Sequence, residues 1–515
     1  MSGKEIKASS AESPVARFFS RFPFIPVIAV SLIALIATGN QIKDPHVTFV
    51  IIITGCTAIL AAGIYMRAKG RLTDEVLIQL LFAAGFWIKL CYVLYTDIMT
   101  RQCDVEAFIE NNYHHSHADY ILYIRDFLRL PDYDVTQHGQ FYHPPFHHFV
   151  CAMFLKVYEL FLPKGTHNYE SLQTLTLICS QGAAYYMFKI LRQLGIKDKG
   201  LVNGALIIAA FPSMTIFAGS INNDILALML FFAAFYYGIK WYREGKTKDI
   251  LISALCTGFG MMTKLSVGLI AFPMGFIFIV RFIKDIREKK GLKSFGQLAC
   301  FAVIAAPLGT WYSIWNYVRY QTPIGYVLKL EDLTYMEVSD HSPFERLFGF
   351  YGFPIEDFYI NLGAYGEKDY NIFIAQVKTM LFGYANCRDN MILSLTGYVL
   401  LLIALVLILA SFTGLIYTAV TVKKHGRPFE DFALIILFVA EIVSIIYFSF
   451  NFPHVCSQDF RYDFPALLAG VFFIANMSGS KPARRIPGIC LNIFCAGFFV
   501  MSVVYYSILW IYVTG

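Results

Sequence analysis

Charged residues are scarce in this sequence. Only 15% of its 515 residues are charged and 57% are hydrophobic, whereas about a quarter of the residues in a soluble domain carry a charge. The formal net charge is +6, and no basic tail or patch stands apart from the hydrophobic runs. This composition excludes an ordinary soluble enzyme and argues against nucleic acid as a partner.

Paired cysteine motifs are also missing. The eleven cysteines include no Cys-x-x-Cys pair, and most of them fall inside apolar runs, where a thiol behaves as a small core residue. The sequence therefore carries no zinc-ribbon or redox motif. Cys103, Cys387 and Cys456 lie in segments that are predicted below to face outwards, and the sequence leaves open whether Cys387 and Cys456 pair.

Long apolar runs recur along the whole chain. Runs of about 18 or more residues can cross a hydrocarbon core, and they begin near residues 24, 47, 76, 170, 201, 222, 249, 265, 296, 394, 429, 464 and 487. Their length excludes a membrane β-barrel, whose strands are short and alternate in polarity. The predicted fold is an all-α integral membrane protein with about thirteen transmembrane helices.

The distribution of Lys and Arg indicates the orientation. If residues 145–163 form an amphipathic interfacial helix and the N-terminus is inside, 27 of the 42 basic residues fall in short cytoplasmic segments, in agreement with the positive-inside rule. If residues 145–163 crossed the membrane, every later basic cluster would face outwards. The interfacial interpretation is preferred, and it places two long polar segments on the outer face.

Five parts result from this topology, and both outer loops are predicted to contain interfacial helices. A helix is expected between Ile372 and Tyr384 in the second loop. The predicted cytoplasmic loops contain few notable residues other than charged ones, so any active site is expected on the outer face. In chain order the parts are a cytoplasmic N-terminus with three transmembrane helices (1–96), a first outer, catalytic loop (97–169), central transmembrane helices (170–318), a second outer loop (319–393) and C-terminal transmembrane helices (394–515).

The first outer loop is rich in Asp, His, Tyr and Arg. Asp104 closely follows the end of a span, where a carboxylate can meet a lipid-borne and an aqueous substrate together and act as general base on an acceptor hydroxyl. A lipid-linked phosphate as leaving group needs cations nearby, and the candidates for this role are Lys264, Arg461, His143 and Arg101. The candidates for other substrate contacts are Tyr142, His117, Asn223 and Tyr462.

Structural roles compete with these assignments. Lys264 at an outer turn fits a snorkelling lysine that marks a helix end. Arg461 can pair with Asp459 or Asp463, although a charged residue beside a membrane cavity is a functional candidate. In the outer turn at residues 222–224, a helix N-cap accounts for one polar residue but not for three.

Taken in order, these residues resemble the GT-C superfamily of polytopic glycosyltransferases, in the branch of the protein O-mannosyltransferases and the lipid A aminoarabinose transferases. The similar features are an early acidic residue (Asp104), a Tyr-Ile-rich helix (117–124), a His-Pro-Pro-Phe motif (143–146), a second acidic residue (Asp224), a Thr-Lys pair (263–264) and an Arg-Tyr pair (461–462).

The resemblance covers roughly residues 97–465 and leaves the first two spans outside. Two positions depart from the family pattern. Val105 follows Asp104 where the mannosyltransferases have an Asp-Glu pair, so the second carboxylate is missing or is supplied by Glu106. Phe146 replaces the usual Leu of the proline motif.

The resemblance implies transfer of a single sugar from a polyprenyl-phosphate donor on the extracytoplasmic face, with inversion at the anomeric carbon. Asp104 would take the acceptor proton, with Asp224 as a second catalytic residue, while cations stabilise the departing phosphate. A metal is not required, although Asp104 and Asp224 offer oxygen ligands for Mg²⁺ or Mn²⁺. The sugar, the acceptor (protein, glycan or lipid) and the membrane (bacterial plasma membrane or endoplasmic reticulum) stay open.

Two other classes of function compete with this interpretation. A polytopic transporter or flippase of a lipid-linked or small polar substrate predicts paired ionisable residues at mid-span and broken helices in matching halves. Only Lys89 and Glu441 fall deep within the predicted spans, and no inverted repeat is evident, which favours the enzyme. A non-catalytic receptor for a lipid-linked glycan would keep the cleft but tolerate loss of Asp104.

Overall fold

A computed structural model describes residues 25–40, 43–99, 107–113, 115–328, 336–350, 369–383, 390–479 and 486–510. These residues form eighteen α-helices, and within them the only β-type pairing is an isolated bridge between Glu337 and His454. The predicted all-α class is confirmed.

In chain order the first nine helices are α1 (Ile25–Thr38), α2 (Pro45–Ala68), α3 (Asp74–Tyr95), α4 (His117–Phe127), α5 (Phe146–Glu159), α6 (Gln173–Gln193), α7 (Asp198–Ala209), α8 (Pro212–Gly219) and α9 (Asp224–Glu244). The other nine are α10 (Thr247–Met261), α11 (Ala271–Arg287), α12 (Gly291–Tyr320), α13 (Pro343–Phe348), α14 (Ile372–Phe382), α15 (Met391–Thr421), α16 (Pro428–Asn451), α17 (Ala466–Ser478) and α18 (Ile486–Ile508).

Every predicted span coincides with a helix, but the count of thirteen is not confirmed. Among the described residues, nine helical segments are long and apolar enough to cross a membrane. The predicted spans at α1 and α17 are shorter apolar helices, and those at α6 and α10 fall in neither group. The chain is therefore a multi-pass integral membrane protein whose helices vary widely in length.

The helices differ strongly in how much of their apolar surface is covered. In an apolar stretch of 18 residues from each segment, 89% of the residues are buried in α7 with α8 and 72% in α9, against 17% in α12 and 11% in α2. Uncovered apolar surface of this extent is stable in contact with lipid rather than water. The segment of α7 and α8 together with α9 thus forms the centre of the bundle, and α2 and α12 lie at its edge.

The predicted cytoplasmic ends of the helices and the end that carries Asp224 lie on different sides of the bundle. Basic residues predicted to face the cytoplasm pack against acidic residues of neighbouring helices, as Arg192 does with Glu75 and Arg243 does with Glu430. Arg243 lies in the last turn of α9, whereas Asp224 is the first residue of the same helix. The basic loops and Asp224 therefore lie at opposite ends of the bundle.

Residues 146–159 form the amphipathic helix predicted for the first outer loop. The buried face of α5 includes His147, His148 and Leu155, whereas Phe149 and Val157 on the other face are about half exposed. This helix has 14 residues, which at about 1.5 Å per residue is too short to cross the ~30 Å core.

The helix predicted in the second outer loop also forms, as α14, but it is buried on nearly all sides. At its base, Lys378 Nζ lies 2.8 Å from both carboxylate oxygens of Asp369, and both side chains are 1% exposed. The sequence did not predict this burial, because the apolar spacing of the helix alone resembles that of an interfacial helix.

We expect Lys378→Met to destabilise the protein by about 3–5 kcal/mol, because it removes a buried cation that is ion-paired with the Asp369 carboxylate. The double variant Asp369→Leu/Lys378→Met should recover much of this loss, since neither charge is then left alone. Thermal unfolding in nanodiscs measures both effects, with Lys423→Met at an exposed loop position as the control. Equal melting temperatures for Lys378→Met and the control would contradict the assignment.

Candidate functional site

A cavity of about 440 Å³ opens among the ends of helices that are far apart in sequence. All the predicted site residues that fall within the described part of the chain line it: His117, Tyr142, His143, Asn223, Asp224, Lys264, Arg461 and Tyr462. Asp104 and Arg101 lie outside the described residues, so their positions stay predictions. Motifs that are far apart in the sequence thus meet around one cavity.

An ion cluster forms one wall of this cavity. The Lys264 ammonium pairs with one carboxylate oxygen of Asp224, and Arg461 Nη1 lies 3.8 Å from the other oxygen. The three side chains are between 6% and 12% exposed. Lys264 therefore does not extend towards solvent as a snorkelling lysine would, and a single carboxylate holds two cations together.

Tyr462 packs against both cations. Its ring centroid lies 4.7 Å from Lys264 Nζ and 4.9 Å from the guanidinium carbon of Arg461. The Tyr462 hydroxyl also accepts a hydrogen bond of 2.9 Å from Arg461 Nη2. Contacts between a cation and an aromatic face strengthen when water is excluded, so this tyrosine fixes where the two positive charges point.

The three polar residues at the start of α9 have three different functions. Asn222 accepts a 3.2 Å hydrogen bond from the backbone N–H of Asp224. Asn223 donates to the carbonyl of Thr263 at 3.1 Å and so joins this turn to the one that carries Lys264. Asp224 is the residue that binds the cations, and a carboxylate in the first turn also interacts favourably with the helix dipole.

The turn that carries Arg461 rests on α14. The backbone N–H of Phe460 donates to the Thr379 hydroxyl at 2.9 Å, and Gln376 Nε2 donates to the Gln458 carbonyl at 3.0 Å. Asp459 accepts a 2.8 Å bond from the backbone N–H of Arg461. The helix of the second outer loop thus positions a cation of the site, a function that the sequence did not indicate.

Histidines line the part of the cavity formed by the first outer loop. The ring of His117 lies 5.4 Å from that of His143, and its Nδ1 lies 2.8 Å from His148 Nε2. Burial, with the charges of Lys264 and Arg461, lowers the pKa of His143 to about 3. His143 is therefore neutral near pH 7, and its role beside the donor phosphate stays a prediction.

Glu441 lies next to the ion cluster. It is 1% exposed, neither carboxyl oxygen has a hydrogen-bond partner within the described residues, and it lines a small cavity of about 30 Å³ that Asp224, Lys264 and Arg461 also line. Ser444 and Ile445, one turn further along α16, line the main cavity. The sequence indicated that Glu441 is deep in a span but not that it borders the site. Lys89 is also buried, with Gln181 as a neighbour at 3.3 Å.

A second, largely apolar cavity of about 640 Å³ adjoins the first. Residues of α7, α14, α15, α16, α17 and α18 line it, and most of them are Ile, Leu, Val, Met or Phe. Ile445 lines both the polar and the apolar cavity. A polar pocket with two cations and an apolar cleft among membrane helices therefore lie next to each other and share this residue as part of their walls.

Several lining residues were missed by the sequence analysis. They are uncharged polar or aromatic residues of ordinary appearance at the end of a predicted span and in the adjacent loops, and no motif distinguished them. They are Gln140, Ser266, Ser313, Asn316, Thr322 and Tyr326.

No group of three or more His, Cys, Asp or Glu side chains suitable for a metal ion occurs among the described residues. Asp104, the predicted partner of Asp224 in a metal site, lies outside them, so the Mg²⁺ or Mn²⁺ site stays a prediction. Cys103 and Cys387 also lie outside, and the pairing of Cys387 with Cys456 stays open.

A comparison with protein families finds that residues 142–311 match the family model described as dolichyl-phosphate-mannose-protein mannosyltransferase. The match includes the His143–Phe146 motif, Asp224 and Lys264, and it ends before Arg461. Over this central segment the match agrees with the resemblance stated in the sequence analysis. No curated protein sequence matches the chain.

Solved structures similar to this chain include the oligosaccharyltransferase of Archaeoglobus fulgidus with zinc and sulfate, at 14% identity, a TM-score of 0.41 and coverage of 83% of this chain and 53% of that one. ArnT from Cupriavidus metallidurans in the apo state is 11% identical with a TM-score of 0.41, and the match covers 78% of this chain and 74% of that one. Archaeoglobus fulgidus AglB with an inhibitory peptide and a dolichol-phosphate is 12% identical with a TM-score of 0.44, and the match covers 83% of this chain and 55% of that one. The chain spans about half the length of these oligosaccharyltransferases.

The histidines predict a pH dependence of stability. His143 and His147 have pKa values lowered by burial to about 3 and about 4, whereas a histidine of the unfolded chain has a pKa of about 6.5. The unfolded state therefore binds more protons below pH ~6.5, and stability falls as the pH drops towards these lowered values.

Thermal unfolding of wild type and of His143→Gln/His147→Gln at about pH 7.5 and about pH 4.5 measures this effect. The double variant should lose less stability on acidification than wild type, and His46→Gln at an exposed position should behave like wild type. An equal loss in the double variant and wild type would show that these histidines are not held neutral.

Proposed function

We propose that this protein is a membrane glycosyltransferase that moves one sugar from a polyprenyl-phosphate donor to an acceptor hydroxyl, with inversion at the anomeric carbon. The acceptor is a hydroxyl group of a protein, a glycan or a lipid. The family match of residues 142–311 supports the reaction class. The two neighbouring cavities support the donor class, and the inverting mechanism is proposed from the resemblance given in the sequence analysis.

The observation that carries the proposal is that the polar and the apolar cavity are neighbours and share Ile445 in their walls. A polyprenyl-phosphate sugar has a polar head, one phosphate and a long apolar chain. Lys264 and Arg461 supply the phosphate site, and the apolar cavity supplies a surface for isoprene units. A water-soluble nucleotide sugar would have no use for an apolar cavity of about 640 Å³.

The charges of the ion cluster fit this donor. Asp224, Lys264 and Arg461 together carry a net charge of +1, which balances the single negative charge of a phosphodiester. When the bond to the anomeric carbon breaks, the departing phosphate monoester gains negative charge, up to about −2 near pH 7. Fixed cations in a poorly hydrated cavity stabilise this developing charge without having to reorganise.

Asp104 is assigned as the general base. Asp224 is bound to two cations, so its carboxylate is poorly suited to accept a proton from the acceptor. Asp104 would take the proton of the acceptor hydroxyl as its oxygen attacks the anomeric carbon from the face opposite the phosphate. The carbon–oxygen bond to the phosphate breaks, the lipid leaves as a phosphate monoester, and the configuration at the anomeric carbon inverts.

We further propose that the reaction occurs on the extracytoplasmic side of a bacterial plasma membrane or of the endoplasmic reticulum. The basic loops, which the positive-inside rule assigns to the cytoplasm, lie at the other end of α9 from Asp224. We also propose that Lys264 and Arg461 supply the positive charge in place of a metal, because a divalent ion at Asp224 would have to displace the cations already bound to it.

A transfer assay with protein in nanodiscs and radiolabelled polyprenyl-phosphate mannose tests this function. The acceptors offered are Ser- and Thr-containing peptides, glycans and lipids, and the readouts are labelled product and free polyprenyl phosphate. We expect Asp104→Asn to lower kcat by about 10²- to 10⁴-fold with little change in donor KM, because only proton transfer is lost. Lys264→Gln should raise donor KM and lower kcat by about 10²- to 10³-fold.

Asp132→Asn is the matched control, since Asp132 is a half-exposed carboxylate of the same outer loop. Its kinetics should equal those of wild type. Unchanged turnover in Asp104→Asn would remove this residue from the mechanism. Absence of transfer by wild type with every acceptor, together with flux of donor lipid across proteoliposome membranes, would favour a flippase instead.

A further inference from the structure

One wall of the polar cavity carries groups that none of the roles above uses. Asn316 in α12 is 3% exposed and Thr322 just after this helix is 6% exposed. Within the described part of the chain, Asn316 Oδ1, Thr322 Oγ1 and Gln140 Oε1 have no hydrogen-bond partner, and all three residues line the cavity. Buried acceptors without partners are unfavourable, so a ligand that donates hydrogen bonds would be stabilised here.

The local sequence holds these groups in place. Tyr312 and Asn316 are one turn apart on the buried face of α12, and the Tyr312 hydroxyl is fixed by a 2.8 Å bond to the Phe141 carbonyl. Helix α12 ends at Tyr320, and the capping residue Gln321 has a left-handed conformation with φ +58°. Pro323 follows, and it cannot continue a helical hydrogen-bond pattern. Thr322 is thereby placed at the cavity wall.

The turn that follows brings an aromatic ring over the cavity. The backbone N–H of Tyr326 donates to the Pro323 carbonyl at 3.0 Å, and Gly325 has φ +78°, which a residue with a Cβ adopts only with strain. The ring of Tyr326 then lies 5.5 Å from that of Tyr142. Two tyrosines therefore offer apolar ring surface beside the unpartnered acceptors.

This combination suits an uncharged sugar. Ring hydroxyls donate hydrogen bonds to amide and hydroxyl oxygens, and the C–H groups of a pyranose pack on aromatic rings. Among the described residues that line the cavity, Asp224 is the only carboxylate, and it already binds Lys264 and Arg461. Asp104 is assigned above to the proton of the acceptor, so among the described lining residues the ammonium group of an aminosugar would meet two cations and no carboxylate that is not already paired.

We propose that Gln140, Asn316 and Thr322 form a subsite that binds hydroxyl groups of the donor sugar and selects an uncharged sugar over an aminosugar. This subsite rests on the proposed function, because the sugar arrives attached to the phosphate held by Lys264 and Arg461. The protein thus recognises the donor at separate places for the sugar, the phosphate and the apolar chain.

Binding measurements separate the contribution of the sugar from that of the phosphate. The full-length protein in nanodiscs is titrated by calorimetry with three probes of equal chain length, which are a prenyl phosphate, its mannosyl ester and its 4-amino-4-deoxyarabinosyl ester. We expect the mannosyl ester to bind more tightly than the bare phosphate, and the aminosugar ester to bind less tightly than the mannosyl ester.

Two variants test the named residues. Thr322→Val removes a hydroxyl that has no partner in the described structure, so it should preserve the melting temperature and weaken binding of the mannosyl ester by about two- to tenfold, with prenyl phosphate unaffected. Asn316→Asp introduces a carboxylate of the same size and should shift the preference towards the aminosugar ester. Thr310→Val is the control, because its hydroxyl bonds within α12, to the Ala306 carbonyl, and Thr310 does not line the cavity.

The outcomes distinguish the two proposals. If wild type binds none of the probes, the proposed function fails and the subsite fails with it. If wild type binds prenyl phosphate but the mannosyl group adds no affinity, the subsite is wrong while the phosphate site stands. Equal affinity of Thr322→Val and wild type for the mannosyl ester, or tighter binding of the aminosugar ester by wild type, would also overturn the subsite.

Discussion

The sharing of the Asp224 carboxylate by Lys264 and Arg461 is the interaction on which the rest of the site depends. Two like charges about 4 Å apart near a protein surface repel each other by about 4 kcal/mol, so a poorly hydrated cavity cannot hold two cations without a compensating anion. Asp224 supplies that anion from the first turn of α9. The cations are therefore in place before any substrate arrives, which is the condition for electrostatic preorganisation.

This constraint explains why distant parts of the chain must converge. Asp224, Lys264 and Arg461 follow three different spans, and a hydrogen bond joins the turns of the first two. Asn223 connects the α9 turn to the Lys264 turn through the Thr263 carbonyl. The turn of Arg461 is held from the other side by α14, whose own burial depends on the ion pair between Asp369 and Lys378. The second outer loop thus acts on the site by supporting a cation.

Much of the architecture could be predicted because its signals are local. Every span predicted from an apolar run coincides with a helix. The distribution of Lys and Arg predicted that residues 145–163 do not cross the membrane, and the 14-residue length of helix α5 agrees with this prediction. Lys264, Arg461 and Asp224 were identified one by one as site candidates, since a charged residue beside a membrane cavity is a functional candidate, but the pairing of both cations with Asp224 was not predicted. Spans of borderline length, such as the 15-residue α10, could not be counted reliably from hydropathy.

Other features depended on the tertiary structure. The neutral state of His143 arises from its burial beside two cations that are distant in sequence. The inner position of α14 cannot be read from its apolar pattern, which suits an interface and a core equally well. Asn316 and Thr322 look like ordinary polar residues at the end of a span, and only the cavity shows that they face the same space as Lys264. Asp104 lies outside the described residues, so its role rests on the sequence.

The central claim is that the ion cluster holds the phosphate of a lipid whose chain continues into the apolar cavity. A cryo-electron microscopy structure of the protein in nanodiscs with a polyprenyl phosphate tests this most directly. The expected result is phosphate density in contact with Lys264 and Arg461, with the isoprene chain passing Ile445 into the cleft between α14 and α16. Phosphate density bound elsewhere, with the ion cluster unchanged and the apolar cavity filled by bulk lipid only, would contradict the claim.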